Sequence, residues 1–307
     1  MTGVPSCQRT VAFEKACVLF NMAAVYTQIA AKQDRMTSKG LDNAIDGFLR
    51  SAGTFKYICE NFTNAPSMDL NSEMLEMLGQ LMLVSVNPFF NAITQLSFYS
   101  KCVFFCCLQA QAKECLLEKL ELESAEKKDL DTSLDLAQEA SHVAECYKNV
   151  LKFVTPVKDY IPYSWTSLIS VKAEYYTALS HRHCGVALLK VDLKDIPDRT
   201  LDTLKHIHRE PDLKIQLDIR VPKDDEERFL LGRAHLRESL LRFEESQRLH
   251  RMCRELRNKP GLEAALKRSY TSTFEAYTNT ENENDFRDLL EPPQILRKPF
   301  FFIWGKF

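Results

Sequence analysis

Glycine and proline are scarce in this chain, with 9 Gly and 12 Pro among 307 residues. A fold of many short strands needs more turn formers than that, so the shortage favours long helices. An excess of charge of one sign is also missing. Lys and Arg number 40 against 42 Asp and Glu, a net charge of −2, which provides no basic field for nucleic acid. The N-terminal run MTGVPSCQRTVAFEKA holds no apolar segment of the kind a secretory leader carries. The 10 cysteines are therefore read as reduced cytoplasmic thiols rather than a disulfide framework. Cys17, Cys59, Cys115 and Cys146 fall on helical stripes and suit core positions.

Catalytic signatures are absent too. The chain has no Gly-rich phosphate loop, no GxSxG and no HExxH. His181 and His183 are two residues apart on a helix and point to different sides, and His206 and His208 repeat that spacing. Cys106 and Cys107 are adjacent and match no metal-binding or redox spacing. No catalytic, cofactor-binding or metal-binding residue is assigned, no cofactor is expected, and the sequence is not that of an enzyme. KDDEER and the run HRMCRELRNK, with Arg248, Arg251, Arg254 and Arg257, read as solvated helix faces.

What is present is helical periodicity. Residues 9–35 make a first helix with two apolar stripes. One runs through Ala12, Ala16, Leu19, Ala23, Tyr26 and Ala30, the other through Phe13, Cys17, Phe20, Ala24 and Thr27. Two stripes predict a helix packed between neighbours. Thr37 or Ser38 with Gly40 marks a break, and a second helix follows from Leu41 to Phe62 with Ala44, Phe48, Ala52, Phe55 and Ile58 or Cys59 inward. Further helices are predicted over Glu126–Phe153, Ser164–Lys190, a short piece near Arg199–His208, Asp224–Asn258 and Lys259–Thr278. The 45% apolar and 27% charged composition is that of a globular chain long enough for a sizeable core.

The central stretch, Ser72–Glu123, is amphipathic at both ends and interrupted between. SEMLEMLGQLML and AQAKECLLEKLELE would join into one stripe, Leu75, Leu78, Met82, Ala112, Leu116 and Leu120, if Val84–Gln109 were removed. Kept as helix, those residues rotate the second half by roughly 80° against the first, and Pro88 interrupts them in any case. Val84–Gln109 is thus an anomalous insertion. It opens on Val, whose codons start GT, and closes on VFFCCLQ, which a pyrimidine-rich tract ending in CAG can encode. Those are the marks of a retained intron. Within it, Val86–Leu108 is apolar enough to offer a membrane-associated alternative, although Asn87, Pro88, Asn91, Gln95 and Lys101 are costly in lipid.

Three segments carry a resemblance. FEKACVLFNMAAVYTQIA, DLNSEMLEMLGQLML joined to AQAKECLLEKL, and IPYSWTSLISVKAEYYTALSHRHC resemble the Bro domain, the helical scaffold of Alix and the rhophilins, with rhophilins matching best around Ile161–Trp165 and Leu230–Ser246. The likeness implies an all-α, elongated, tetratricopeptide-like helical solenoid of long antiparallel helices. Residues 1–293 would be a partial Bro domain and 294–307 an aromatic tail outside the family pattern. It implies a non-enzymatic adaptor or scaffold in Rho-linked signalling or in endosomal and cytoskeletal settings, cytoplasmic and at most peripheral to endosomal membranes. Its partner would be a protein, an amphipathic helix or peptide of the kind an ESCRT-III subunit offers. The family's patch falls on Leu81, with Met77 one turn before it. The chain looks partial, without the Rho-binding coiled coil or the PDZ domain of rhophilins. Direct Rho binding is therefore not expected, and a truncated, non-functional fragment is the remaining alternative.

Overall fold

The computed structural model describes residues 11–62, 105–124, 130–154, 162–192, 194, 196–209, 219–280 and 291–296. Among these the chain is all-α. The helices are α1 (Val11–Ala31), α2 (Ser38–Asn61), α3 (Phe105–Ser124), α4 (Leu130–Val154), α5 (Tyr163–Lys190), α6 (Asp198–Ile207), α7 (Asp225–Met252), α8 (Arg254–Arg257) and α9 (Pro260–Thr278). The extended pairing seen among the described residues is an isolated antiparallel bridge between His208 and Ile295. The chain divides into two compact units. The first holds Met1–Ala125, Val143–Ala173 and Leu249–Asn258, the second Glu126–His142, Glu174–Arg248 and Lys259–Phe307.

In the first unit α1 and α2 form a hairpin. The Thr37 hydroxyl accepts from the Gly40 amide at 3.1 Å and caps α2, satisfying one orphan donor of the first turn. The predicted break at Gly40 lies inside that turn, so α2 starts three residues earlier than the periodicity indicated. A Cβ at Gly40 would stand 1.9 Å from the Asp34 carbonyl oxygen, and only glycine fits there. All of the predicted inward positions Ala44, Phe48, Ala52, Phe55 and Ile58 are buried. They pack with Ala16, Phe20, Ala23 and Ala30 of α1 and with Ala112 and Cys115 of α3. Phe20 and Phe55 meet edge to face with centroids 5.4 Å apart, the arrangement that ring quadrupoles favour. Buried Ser51 of α2 donates to the Ala23 carbonyl at 2.8 Å and meets the Thr27 hydroxyl at 2.9 Å.

In the second unit Leu130, Leu134 and Ala137 of α4 pack with Cys184, Ala187 and Leu188 of α5, Leu204 and Ile207 of α6, and Leu231 and Ala234 of α7. Ile295 completes this core. It is held by the Leu296 amide donating to the Ile207 carbonyl at 2.7 Å and by Ser141 donating to its own carbonyl at 2.5 Å. Buried Arg228 donates to the Leu188 carbonyl, a free acceptor in the last turn of α5 that a cation suits.

One helix differs from expectation. Asp224–Asn258 is not continuous: Cys253 takes an extended conformation (φ −91°, ψ 114°) between α7 and α8. The register shifts there, so Met252 is exposed, while Cys253 and Leu256 are buried. His250 Nε2 reaches the Leu256 carbonyl at 3.0 Å across the break.

Candidate functional site

Met77 and Leu81, the predicted partner-binding pair, lie outside the described residues, as does Val84–Phe104 of the predicted insertion. The described part of the central element is α3, which begins at Phe105 rather than at Ala110. From Ala112 to Cys115 four consecutive residues are buried, so α3 is enclosed on several sides.

A buried ionic cluster surrounds it. The Glu114 carboxylate accepts from Tyr147 Oη at 2.7 Å, Lys172 Nζ at 2.5 Å and Arg35 Nη2 at 3.0 Å. Arg35 also grips Glu118 through Nε at 2.6 Å and Nη2 at 2.5 Å. Burial alone would raise the Glu114 pKa, but the cations of Lys172 and Arg35 outweigh it and hold the group at about 2. Glu118 goes the other way, because burial dominates there and Arg35 only partly offsets it. Every partner on Glu114 is a donor already engaged. The cluster therefore joins the α1–α2 loop, α3, α4 and α5 within the first unit, as structure rather than chemistry.

The surface of α1 is different. Val11, Val18, Met22, Val25 and Ile29 are exposed, Val11 at 82% and Val18 at 61%. Their spacings of seven, four, three and four put them on one side of the helix. Neither predicted stripe contained them. The buried side of α1, with Ala16, Phe20, Ala23 and Ala30, draws from both predicted stripes. The expected packing between neighbours is thus realised on one side, and the far side carries an apolar row about 27 Å long at 1.5 Å per residue.

A third feature lies in the second unit. The histidine pairs separate as the two-residue spacing requires: His206 is exposed and 3.4 Å from Asp202, while His181 and His208 are buried. The latter two converge on His235 of α7, which the sequence reading did not single out. His181 Nδ1 lies 2.8 Å from His235 Nδ1, and the His208 and His235 rings stack with centroids 5.2 Å apart. Cys184 Sγ is 3.8 Å from His208 Nε2. Burial pushes the Cys184 thiol up to about 12 and His208 down to about 4, and it drives His235 well below the usual imidazole range, with His181 and His208 adding to the effect. The His208 and His235 rings are therefore neutral in the folded chain near pH 7. No local motif could have revealed this group, since His235 is 51 residues beyond Cys184 (235 − 184).

Among the described residues no helix is long and apolar enough to cross a membrane.

Known proteins place the fold. The chain is 37% identical to Rhophilin-1 of Homo sapiens over 302 residues, 97% of this chain and 41% of that relative. It is 34% identical to Rhophilin-2 of Homo sapiens over 309 residues, 97% of this chain and 40% of the relative. It thus spans about two fifths of the curated relatives it matches. Among solved structures it superposes on the ALIX BRO1 CHMP4C complex with a TM-score of 0.54 at 16% identity, covering 95% of this chain and 65% of that one. The Bro1 domain solved for its role in endosomal targeting gives 0.51 at 19% identity, covering 96% and 64%. The profile of the BRO1-like domain matches residues 1–295, nearly the whole helical array described above, and the chain belongs to that family.

Proposed function

We propose that this chain is a non-enzymatic adaptor module that captures an amphipathic helix of a partner protein. The observation that carries the reading is the exposed apolar row of α1, Val11, Val18, Met22, Val25 and Ile29, opposite a face that is already packed. A helix laying its own apolar side along such a row is a recurrent mode of recognition, and the row is long enough for about five turns. The ALIX BRO1 structure solved with CHMP4C suggests the class of partner, an ESCRT-III subunit. The rhophilin relatives suggest a Rho-linked or cytoskeletal setting. Leu81, with Met77 beside it, is proposed as a second contact on the central helix.

The test is capture of CHMP4C by the purified full chain. Val18→Asp combined with Val25→Asp alters exposed side chains only. Burying one valine contributes about 1.5 kcal/mol or more, so the double variant is expected to bind at least about tenfold more weakly with far-UV helicity unchanged. Leu81→Asp is expected to weaken capture in the same way. Undiminished capture by all of these variants would overturn the assignment of the surface, and no capture by the unaltered chain would overturn the class of partner.

A further inference from the structure

We propose that Cys184, His208 and His235 form a buried site for one thiophilic d10 cation, zinc(II) or copper(I), at the crossing of α5, the end of α6 and α7. One ligand atom from each lies within 4.8 Å of the others, and all of these residues are buried. On a tetrahedral zinc, sulfur at about 2.3 Å and nitrogen at about 2.0–2.1 Å stand roughly 3.6 Å apart. The observed Cys184 Sγ to His208 Nε2 separation is 3.8 Å, so these atoms need to close by only a few tenths of an ångström around an ion.

The second observation is an orphaned atom. His235 Nε2 is fully buried and has no hydrogen-bond partner, a state that is costly in a packed interior. A cation supplies what that nitrogen lacks. It requires His235 Nδ1 to carry the ring hydrogen and donate to His181 Nδ1, 2.8 Å away. His208 is set up in the same way, because its Nδ1 meets the Arg220 carbonyl at 2.8 Å and leaves Nε2 to face the cysteine. Each imidazole thus has its far nitrogen held by a neighbour, as ring ligands of metals do. One thiolate and two imidazoles form a borderline-soft set that suits zinc or copper(I) and excludes magnesium and calcium. On binding, the Cys184 thiol releases its proton to solvent and the sulfur takes the cation in its place.

The experiment uses the full chain, reduced and stripped of metal by chelation. One arm receives zinc(II), the other copper(I) under anaerobic conditions, and each is desalted before metal analysis. One equivalent retained in one arm is expected, with the thermal midpoint raised by about 5 °C. Cys184→Ser and His208→Gln should each lose that equivalent, and His206→Gln, altered on the exposed side of α6, should keep it. X-ray absorption on the loaded unaltered chain should show one sulfur and two nitrogen neighbours, a readout that does not depend on whether the variants fold. Retention of neither ion, retention unaffected by Cys184→Ser and His208→Gln, or a shell with two or more sulfurs would overturn the site.

Discussion

Glu114 shows how a single charge can organise several helices. It is buried, yet its carboxylate is bonded to Tyr147, Lys172 and Arg35, so its ionised form is the stable one in the folded chain. Its pKa is held at about 2 against an ordinary 4.5. A carboxyl depressed on folding contributes stability that is complete above the unfolded value and is lost as pH falls through the folded one. The window is therefore from about 4.5 down to about 2, and the gap corresponds to about 3 kcal/mol. Glu118, whose pKa is raised chiefly by burial, acts in the opposite direction, so the test must isolate Glu114. Glu114→Gln should lower unfolding stability by about 3 kcal/mol near neutral pH. That deficit should shrink between pH 4.5 and 2, measured by urea melts of variant and parent; a deficit independent of pH would show that Glu114 acts by packing alone. At this scale the sequence reading is uneven. Local periodicity marks Ala44, Phe48, Ala52, Phe55 and Ile58 as inward, and all are buried. It could not place Glu114 on Lys172, 58 residues away, nor bring Cys184 to His235, because pairings across helices leave no local pattern.

Between elements, one close approach in the second unit is glycine on glycine. A Cβ at Gly185 of α5 would stand 2.8 Å from the Gly232 carbonyl oxygen of α7 and 3.1 Å from the Leu236 side chain. A Cβ at Gly232 would in turn meet Leu189 at 2.9 Å. The two backbones therefore touch, and that contact brings Cys184 next to His235. The helices were legible from spacing, but the crossing point was not, because a glycine inside a helical pattern reads only as a weak helix former. Gly185→Val should force the backbones apart and lower the melting midpoint, with a cost of about 1–3 kcal/mol. Gly53→Ala is the control. A Cβ there meets nothing within 4 Å, and within α2 the change should stabilise by about 0.5–1 kcal/mol. Equal effects of the two substitutions would remove the crossing from the account. The break at Cys253 has a similar lesson: apolar periodicity across Leu249, Met252 and Leu256 looks continuous, while the backbone turns extended at Cys253 and exposes Met252. Likewise the outer row of α1 was missed because that helix is apolar on nearly every side, and periodicity then cannot tell which face will find a neighbour.

For the molecule as a whole the open element is Val84–Gln109. The fold class followed from scarce glycine and proline and from long stripes, and the family assignment extends over residues 1–295, a span that includes the block. The structure shows what α3 contributes beyond the block. Among the α3 residues whose burial is described, Ala112, Lys113, Glu114, Cys115 and Leu117 are buried. The α3 residues in the core shared with α1 and α2 are Ala112 and Cys115, and the ionic grip on Arg35, Tyr147 and Lys172 comes from Glu114 and Glu118. All of these follow Gln109. The contacts described for α3 in the first unit are therefore encoded outside the block. A chain lacking Val84–Gln109 should fold, with a cooperative melt and a midpoint within about 5 °C of the parent, since the contacts described for α3 all follow Gln109 and shortening a connection changes stability by only about 1–2 kcal/mol. It should also join Leu83 to Ala110 and carry Ser72–Glu123 as one continuous helix, read as higher helicity per residue in far-UV circular dichroism. Aggregation of the shortened chain, or a melt that loses its cooperativity, would instead make the block part of the fold, and the proposal that it is an intron translated by mistake would fall with it.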